Sequence, residues 1–211
     1  IKDVKKNGDK ALLKYEKKFN NNLIIVPTSK QISKSIKSLD KKVKQAIDTA
    51  YSRIYKFHSL QKVKNISYTD KFNNKLEYKY LPIESVAIYV PGSTASYPSS
   101  VLMNAIPAIV AGVQRIIMIN PSFKGKQSPA VLYAARKCKI REIYSIGGPS
   151  SIAAVAYGTK KIKKVNKIVG PGNAYVVAAK KEVFGDVGIE GMTAGPSEIT
   201  LVCDKYSNPA W

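Results

Sequence analysis

The sequence predicts an α/β protein built on a parallel sheet. Three segments carry this prediction: VAIYVPGSTASYPSSVLMNAIPA at 86–108, SIGGPSSIAAVAYG at 145–158 and KIVGPGNAYVVAAKKEVFGDVGI at 167–189. Each begins with a β-branched or aromatic stretch, breaks at Gly or Pro-Gly, and continues with apolar residues at helical spacing. Strands that alternate with helices in this way pair in parallel through right-handed crossovers.

The amino-terminal part of the chain predicts helices. Asp9 is a candidate N-cap for a helix that runs to about Lys18. Its apolar face holds Leu12, Tyr15 and Phe19. Thr28 and Gln31 have the spacing of a capping box, which predicts a second, short helix.

A longer helix is predicted to follow Asp40, which has the side chain of an N-cap. Apolar residues recur along it at helical spacing: Val43, Ile47, Ala50, Ile54 and Phe57. A helix with a single apolar stripe must pack against another element. Residues 61–80 are rich in Lys, Asn and Tyr and predict either a hairpin or an irregular crossing.

Two further strands complete the predicted pattern. The run RIIMIN at 115–120 reads as a strand, and Ser128 followed by Pro129 marks the start of the helix after it. The run ITLVCD at 199–204 predicts one more strand near the end of the chain.

Glycines follow the predicted strands of the sheet: Gly92, Gly147, Gly148, Gly170 and Gly172. In an open parallel sheet, ligands bind outside the carboxyl ends of the strands. Glycine lets the backbone approach a ligand, and the free N–H groups of the next helix favour an anion. We therefore expect a nucleotide-sized crevice at this edge.

Two turns at this edge have both a functional and a structural interpretation. Asn173 of the GPGN turn could contact a ribose or phosphate, but the same letters occur in a simple capped turn. Tyr89 of YVPGST could lie beside a planar ring or be a half-buried strand aromatic. Neither a GxGxxG fingerprint nor a GxxxxGK[ST] phosphate loop occurs.

Catalytic groups are scarce in this sequence. A nucleophilic Ser197 in AGPSE would need a histidine nearby as its base. The sequence has one histidine, His58, which lies far away in the predicted long helix. Cys138 and Cys203 lack metal-ligand spacing, and both are expected to be inert, reduced thiols. From the residues we predict neither a complete catalytic constellation nor a metal site.

Composition indicates a soluble globular protein, with 45% hydrophobic and 23% charged residues. No apolar run reaches the roughly 20 residues that span a bilayer, and the first residues lack a signal-peptide core, so we expect a cytoplasmic protein without a membrane partner. The net charge of +21 would suit a polyanion. Most basic residues are Lys, whereas nucleic-acid recognition uses Arg forks as well, so solvated lysine faces are the favoured interpretation.

Four blocks, in their order, resemble histidinol dehydrogenase: VAIYVPGSTASYPSSVLMNAIPAIVAGV, EIYSIGGPSSIAAVAYGT, VNKIVGPGNAYVVAAKKEVFGDVGIE and AGPSEITLVCD. The resemblance continues through DKKVKQAIDTAYSRIYKFHSLQK and IKDVKKNGDKALLKYEKKF, so it covers essentially the whole chain. It implies an NAD-dependent, two-step oxidation of L-histidinol to L-histidine by a homodimer that holds its substrate with zinc. It further implies a Rossmann-like cofactor domain at 87–196, which is inserted in a large α/β domain. That large domain is incomplete here and consists of a helical part at 1–86 and a returning strand within 197–211.

The resemblance assigns roles to individual residues. The NAD-contacting tyrosine of the family falls on Tyr89 and its NAD-contacting asparagine on Asn173. A third NAD contact, Gln in the family, falls on Ser150, whose side chain reaches less far. The substrate-contacting serine falls on Ser197. Ser93 replaces the more usual Gly of PGGT, which would crowd the turn if that position needs a positive φ.

The resemblance also implies that the zinc ligands and the Glu-His catalytic pair belong to a segment that would begin after Trp211 with a QAEHD-like motif. We therefore expect no catalytic residue and no metal ligand in this chain, and no turnover unless a second polypeptide supplies the missing half. A function of another class stays open at this point. It is a noncatalytic remnant that binds nucleotide or polyanion through the basic surface.

Overall fold

The order of the elements follows the predicted alternation of strands and helices. The computed structural model describes residues 1–92, 96–122, 125–191 and 203–208. Within them the helices are α1 Lys2–Asn20, α2 Ser29–Lys37, α3 Lys41–Ser59, α4 Pro98–Ala111, α5 Pro129–Lys137, α6 Gly148–Tyr157 and α7 Ala174–Glu182. The strands are β1 Ile66–Thr69, β2 Lys75–Tyr78, β3 Ser85–Tyr89, β4 Arg115–Ile119, β5 Glu142–Tyr144, β6 Lys167–Val169 and β7 Gly188–Ile189.

Strands β3 to β7 form one parallel sheet in the order β5-β4-β3-β6-β7. The central strand, β3, pairs Tyr89 with Ile119 of β4 and Ile88 with Val169 of β6. This is the strand order of a doubly wound sheet, whose winding reverses between β3 and β6. The predicted parallel α/β sheet is confirmed.

The sheet separates two apolar cores. Side chains of β3 alternate between them, with Ala87 and Tyr89 on one face and Ile88 and Val90 on the other. Helices α6 and α7 cover the first face, and α1 packs against α6. Helices α4 and α5 cover the second face, with α2 and α3 packed outside them. The amino-terminal helices therefore bury only part of their apolar stripes against the sheet unit. Leu12 of α1 and Ile47 of α3 are buried, whereas Phe19, Val43 and Phe57, which the sequence places on the same stripes, are exposed.

Side-chain caps fix the starts of α2 and α3 as the sequence predicts. The Thr28 hydroxyl accepts the Gln31 backbone N–H at 3.2 Å, and the Gln31 side chain accepts the Thr28 N–H at 2.8 Å. At α3, the Asp40 carboxylate accepts the backbone N–H of Lys42 at 2.7 Å. Both predicted caps are confirmed.

The predicted start of the first helix is wrong. Helix α1 begins at Lys2, and its only break is Gly8, with φ 54° and ψ −130°. Oδ1 of Asp9 is buried and has no hydrogen-bond partner among the described residues, so this side chain does not act as the expected cap. Because glycine adopts a positive φ at little cost, the chain turns at Gly8 and helical structure resumes directly.

Other predicted boundaries hold with differences in detail. Helix α5 has Ser128 at its N-cap position and Pro129 at its first position, but the Ser128 hydroxyl hydrogen-bonds Ser96 Oγ at 2.6 Å instead of a helix N–H. Residues 61–80 form an antiparallel hairpin, β1–β2, whose strands are exposed throughout. Most of the strand expected at 199–204 lies outside the described residues.

The helices of the described residues include none that is both long enough and apolar enough to span a membrane.

Candidate functional site

A cleft of about 810 Å³ lies at the carboxyl ends of β3 to β6, where the winding of the sheet reverses. This volume falls within the range of small-molecule sites. Each strand end supplies part of the wall, and α1 closes one side with Tyr15, Phe19 and Asn20. The crevice that the sequence predicts at this edge is present.

Three separate βα units bring the predicted cofactor residues to this one cleft. Tyr89 ends β3, Ser150 lies in the first turn of α6, and Asn173 precedes α7, and all three line its wall. Ser197 lies outside the described residues, as does Ser93, so the structure places neither of them.

Tyr89 is fixed by its hydroxyl group. The residue is only 4% exposed, and its hydroxyl oxygen accepts the backbone N–H of Gly148 at 3.3 Å. Burial raises the pKa of Tyr89, and the nearby Glu16 carboxylate adds to this effect. The hydroxyl is therefore protonated at neutral pH, and it ties β3 to the first turn of α6.

Asn173 is the N-cap of α7. Its Oδ1 accepts the backbone N–H of Val176 at 3.1 Å. The alternative that the GPGN turn is a capped helix start is therefore correct for the side-chain oxygen of Asn173. The side chain is exposed and lines the cleft, so the amide nitrogen is the group with which it could meet a ligand.

Ser150 is less accessible than the resemblance suggests. It is buried, and its hydroxyl donates to the carbonyl oxygen of Gly147 at 3.1 Å. A hydroxyl oxygen keeps acceptor capacity after donating, so Ser150 can still accept a hydrogen bond.

The glycines of this edge serve mainly to pack the strand ends together. A Cβ would lie 2.2 Å from the carbonyl oxygen of Pro121 at Gly92, and equally close to the carbonyl oxygen of Tyr89 at Gly170. At Gly147 a Cβ would lie 2.5 Å from the Pro121 ring. Gly148 differs, because its φ is +62° and a Cβ would meet nothing within 4 Å. Of these four glycines, Gly148 is the one where a ligand could approach the backbone.

Glu16 is a component of the site that the sequence reasoning missed. It is 1% exposed, and its carboxylate accepts the Gly147 N–H at 2.8 Å and the Asn20 amide at 2.7 Å. Burial raises the pKa of Glu16, although these hydrogen bonds oppose the shift. The carboxylate accepts the Gly147 N–H and the Tyr89 hydroxyl accepts the Gly148 N–H, so the prediction that this helix start offers free N–H groups to an anion is wrong for both residues.

A signal for Glu16 exists in the sequence. It follows Leu12 by four residues, which places it on the buried face of α1, whereas its neighbours Lys17 and Lys18 are exposed.

Aromatic side chains stand at the rim of the cleft. Phe19 is 70% exposed, Tyr175 is 73% exposed, and Tyr97 is partly exposed. Exposed rings beside a cavity can stack on a planar group of a ligand.

The described residues include no group of three or more His, Cys, Asp or Glu that could hold a metal ion. His58 lies on α3, outside the cleft, with Nδ1 2.6 Å from Oε1 of Gln61. Burial raises the pKa of Cys138 to about 12, which keeps this thiol protonated at neutral pH.

Strand order and cleft position define a doubly wound α/β protein with a cleft at the switch point of the sheet, where such folds bind their ligands. The family model for histidinol dehydrogenase matches residues 1–211, and the chain belongs to this family.

Known relatives agree with this assignment. Histidinol dehydrogenase of Pelagibacter ubique (strain HTCC1062) is 82% identical over 211 residues, which is 100% of this chain and 49% of the relative. Histidinol dehydrogenase of Agrobacterium fabrum is 49% identical and matches 100% of this chain and 50% of the relative. The chain thus spans about half the length of the curated relatives it matches.

The fold is also similar to a solved structure. The crystal structure of histidinol dehydrogenase from Elizabethkingia anophelis superposes with a TM-score of 0.88 at 38% sequence identity. The match covers 93% of this chain and 46% of that one.

Proposed function

We propose that the cleft binds NAD and that this chain is the cofactor-binding part of a histidinol dehydrogenase, which oxidises L-histidinol to L-histidine. One observation carries the proposal: Tyr89, Ser150 and Asn173 come from three different βα units and line the same cleft. The cleft lies at the switch point of a doubly wound sheet, where such folds bind dinucleotides.

The residues present fit a dinucleotide in several respects. Gly148 leaves open space at its Cα, Asn173 lines the cleft with an exposed side chain, and exposed Tyr175 offers a ring for stacking. Bound NAD would supply the hydride acceptor. The residues of this chain would hold and orient it, and we assign no proton transfer to any of them.

Zinc belongs to the proposal only at the level of the whole enzyme. The described residues offer no donor set for this metal, so we derive no step through it.

In the same proposal, residues 87–196 form the cofactor domain, and residues 1–86 and 197–211 belong to the large domain. Ser197 contacts the substrate. A second polypeptide would supply the missing half of the active site, and the assembled enzyme would be a homodimer.

Calorimetric titration of the full chain with NAD tests the proposal, and hydrogen exchange locates the bound cofactor. We expect saturable binding and slower exchange in the turns at 147–150 and 170–175. The turn at 72–74 of the β1–β2 hairpin is the internal control, because it lies outside the cleft. Absence of binding, or protection confined to the hairpin, would contradict the proposal.

A further inference from the structure

Lys180 is a buried cation that joins two segments near the cleft. It lies on α7 and is only 6% exposed. Its ammonium group donates to the carbonyl oxygen of Gly170 at 2.5 Å and to the carboxylate of Glu190. Gly170 opens the GPGN turn after β6, and Glu190 directly follows β7.

Burying this charge is costly unless the group is fully paired, and well-packed apolar residues often replace such pairs without loss of stability. The Lys180–Glu190 pair is therefore a poor device for stability alone. Lys180 does not line the cleft, so it does not contact a ligand there directly. Its contact with Gly170 is the part of the arrangement that reaches the site.

Gly170 occupies a constrained position. Its φ is +108°, and a Cβ there would lie 2.2 Å from the carbonyl oxygen of Tyr89. Gly170 therefore packs directly against the backbone of Tyr89, and Asn173 follows at the end of the same turn. A group that fixes the Gly170 carbonyl fixes the spacing between Tyr89 and Asn173.

We propose that Lys180 is a positioning residue of the cofactor site, which holds the Gly170–Asn173 turn against Tyr89 through the Gly170 carbonyl. The proposal rests on the proposed function, because it assumes that the cleft binds NAD. Glu190 neutralises the ammonium and orients it. Its second oxygen, Oε2, is buried and has no hydrogen-bond partner among the described residues.

The experiment separates positioning from stability in the 211-residue chain. Lys180→Met leaves the Glu190 carboxylate unpaired and is expected to lower both stability and NAD affinity. The double variant Lys180→Met with Glu190→Leu removes the unpaired charge, so stability should recover. NAD affinity should stay about tenfold below that of the unmodified chain, since nothing holds the Gly170 carbonyl.

Glu190→Gln should lower stability without lowering NAD affinity, which is the reverse of the double variant. It keeps an oxygen acceptor for the ammonium but removes the charge, so stability should fall while NAD affinity changes little. Lys181→Met is the matched control, because Lys181 is the exposed neighbour of Lys180 on the same helix. It should change neither quantity.

Urea unfolding gives the stability of each variant, and calorimetric titration gives the affinity. If the double variant regains NAD affinity together with stability, Lys180 is a structural residue only and the inference is overturned.

Hydrogen exchange without ligand keeps the inference testable if the unmodified chain binds no NAD. In the double variant, amides at 170–176 should then exchange faster than in the unmodified chain, while amides of α4 stay unchanged. Equal exchange at 170–176 would overturn the inference. An absence of NAD binding by the unmodified chain would overturn only the proposed function.

Discussion

Asn173 and Val176 are joined by a hydrogen bond of 3.1 Å, from the Val176 backbone N–H to the side-chain oxygen of Asn173. This bond fixes the first turn of α7 through the oxygen of the amide. The nitrogen of the same amide is the donor that can meet a ligand in the cleft. Capping and ligand contact are thus properties of different atoms and can be tested separately.

Substitution of Asn173 separates the two roles. Asn173→Ala removes the cap and should lower the free energy of unfolding by about 1 kcal/mol, whereas Asn173→Ser keeps a capping oxygen and should cost little. Both variants lose the amide nitrogen, so both should bind NAD more weakly. Urea unfolding and calorimetric titration measure the two effects. If Asn173→Ser binds NAD like the unmodified chain, Asn173 is a cap alone.

Gly148 and Gly185 form a matched pair for a test of the cleft. Both have a positive φ, +62° and +96°, and a Cβ at either position would meet nothing within 4 Å. Alanine at either position should cost about 1–2 kcal/mol of stability from backbone strain. Only Gly148 lines the cleft, so only Gly148→Ala should weaken NAD binding as well. An equal loss of NAD affinity in Gly185→Ala would mean that the loss in Gly148→Ala results from lower stability and not from a contact in the cleft.

Glu16 should make stability depend on pH. Its folded-state pKa is raised by burial, so the folded chain binds its proton more tightly than the unfolded chain does. Stability is then fully present below the ordinary glutamate pKa and is lost as pH rises through the folded value. Glu16→Gln removes the titrating group but keeps only one of the two acceptor oxygens that Gly147 and Asn20 use. We therefore expect this variant to lose the pH dependence, so that the stability of the unmodified chain falls relative to the variant as pH rises.

Asp3 provides a contrast of opposite sign on the same helix. Hydrogen bonds from Asn7, Tyr15 and Lys14 lower its pKa to about 2. Its contribution is present above the ordinary aspartate pKa and is lost as pH falls through about 2. Asp3→Asn should therefore be the less stable chain at neutral pH. Urea unfolding over a pH series checks both variants, and parallel pH profiles would contradict the assignment.

Local sequence patterns predicted those parts of the fold that depend on neighbouring residues. The caps at Thr28 and Asp40 need only a side chain two or three positions before an N–H, and both are present. The helix start assigned to Asp9 failed because a single glycine, Gly8, breaks the helix without ending it. Periodicity alone does not distinguish a break from an end.

Tertiary packing decided the rest. Glu16 and Lys180 each lie beside lysines in their helices, and such charges are usually solvated. Helix α1 packing on α6 buries the first, and the turn after β6 buries the second. Likewise, glycines assigned to ligand approach at Gly92 and Gly170 pack against the neighbouring backbone. These contacts join residues far apart in sequence. Helical spacing from Leu12 indicates the buried face for Glu16, but no local pattern reveals its partner or the burial of Lys180.

The last prediction concerns turnover. Purified chain mixed with NAD, L-histidinol and zinc should form no NADH, because its one histidine, His58, lies on α3 outside the cleft. Absorbance of NADH measures the reaction, and His58→Ala is the control. NADH formed by the unmodified chain and lost in His58→Ala would show that the prediction is wrong.

Under the proposed function, turnover should appear when the remaining half of the Pelagibacter ubique relative is added as a separate polypeptide, because that enzyme is 82% identical over the shared region. Turnover in this mixture should fall with Asn173→Ser and stay unchanged with Lys181→Met, which would place the cofactor in the cleft of this chain.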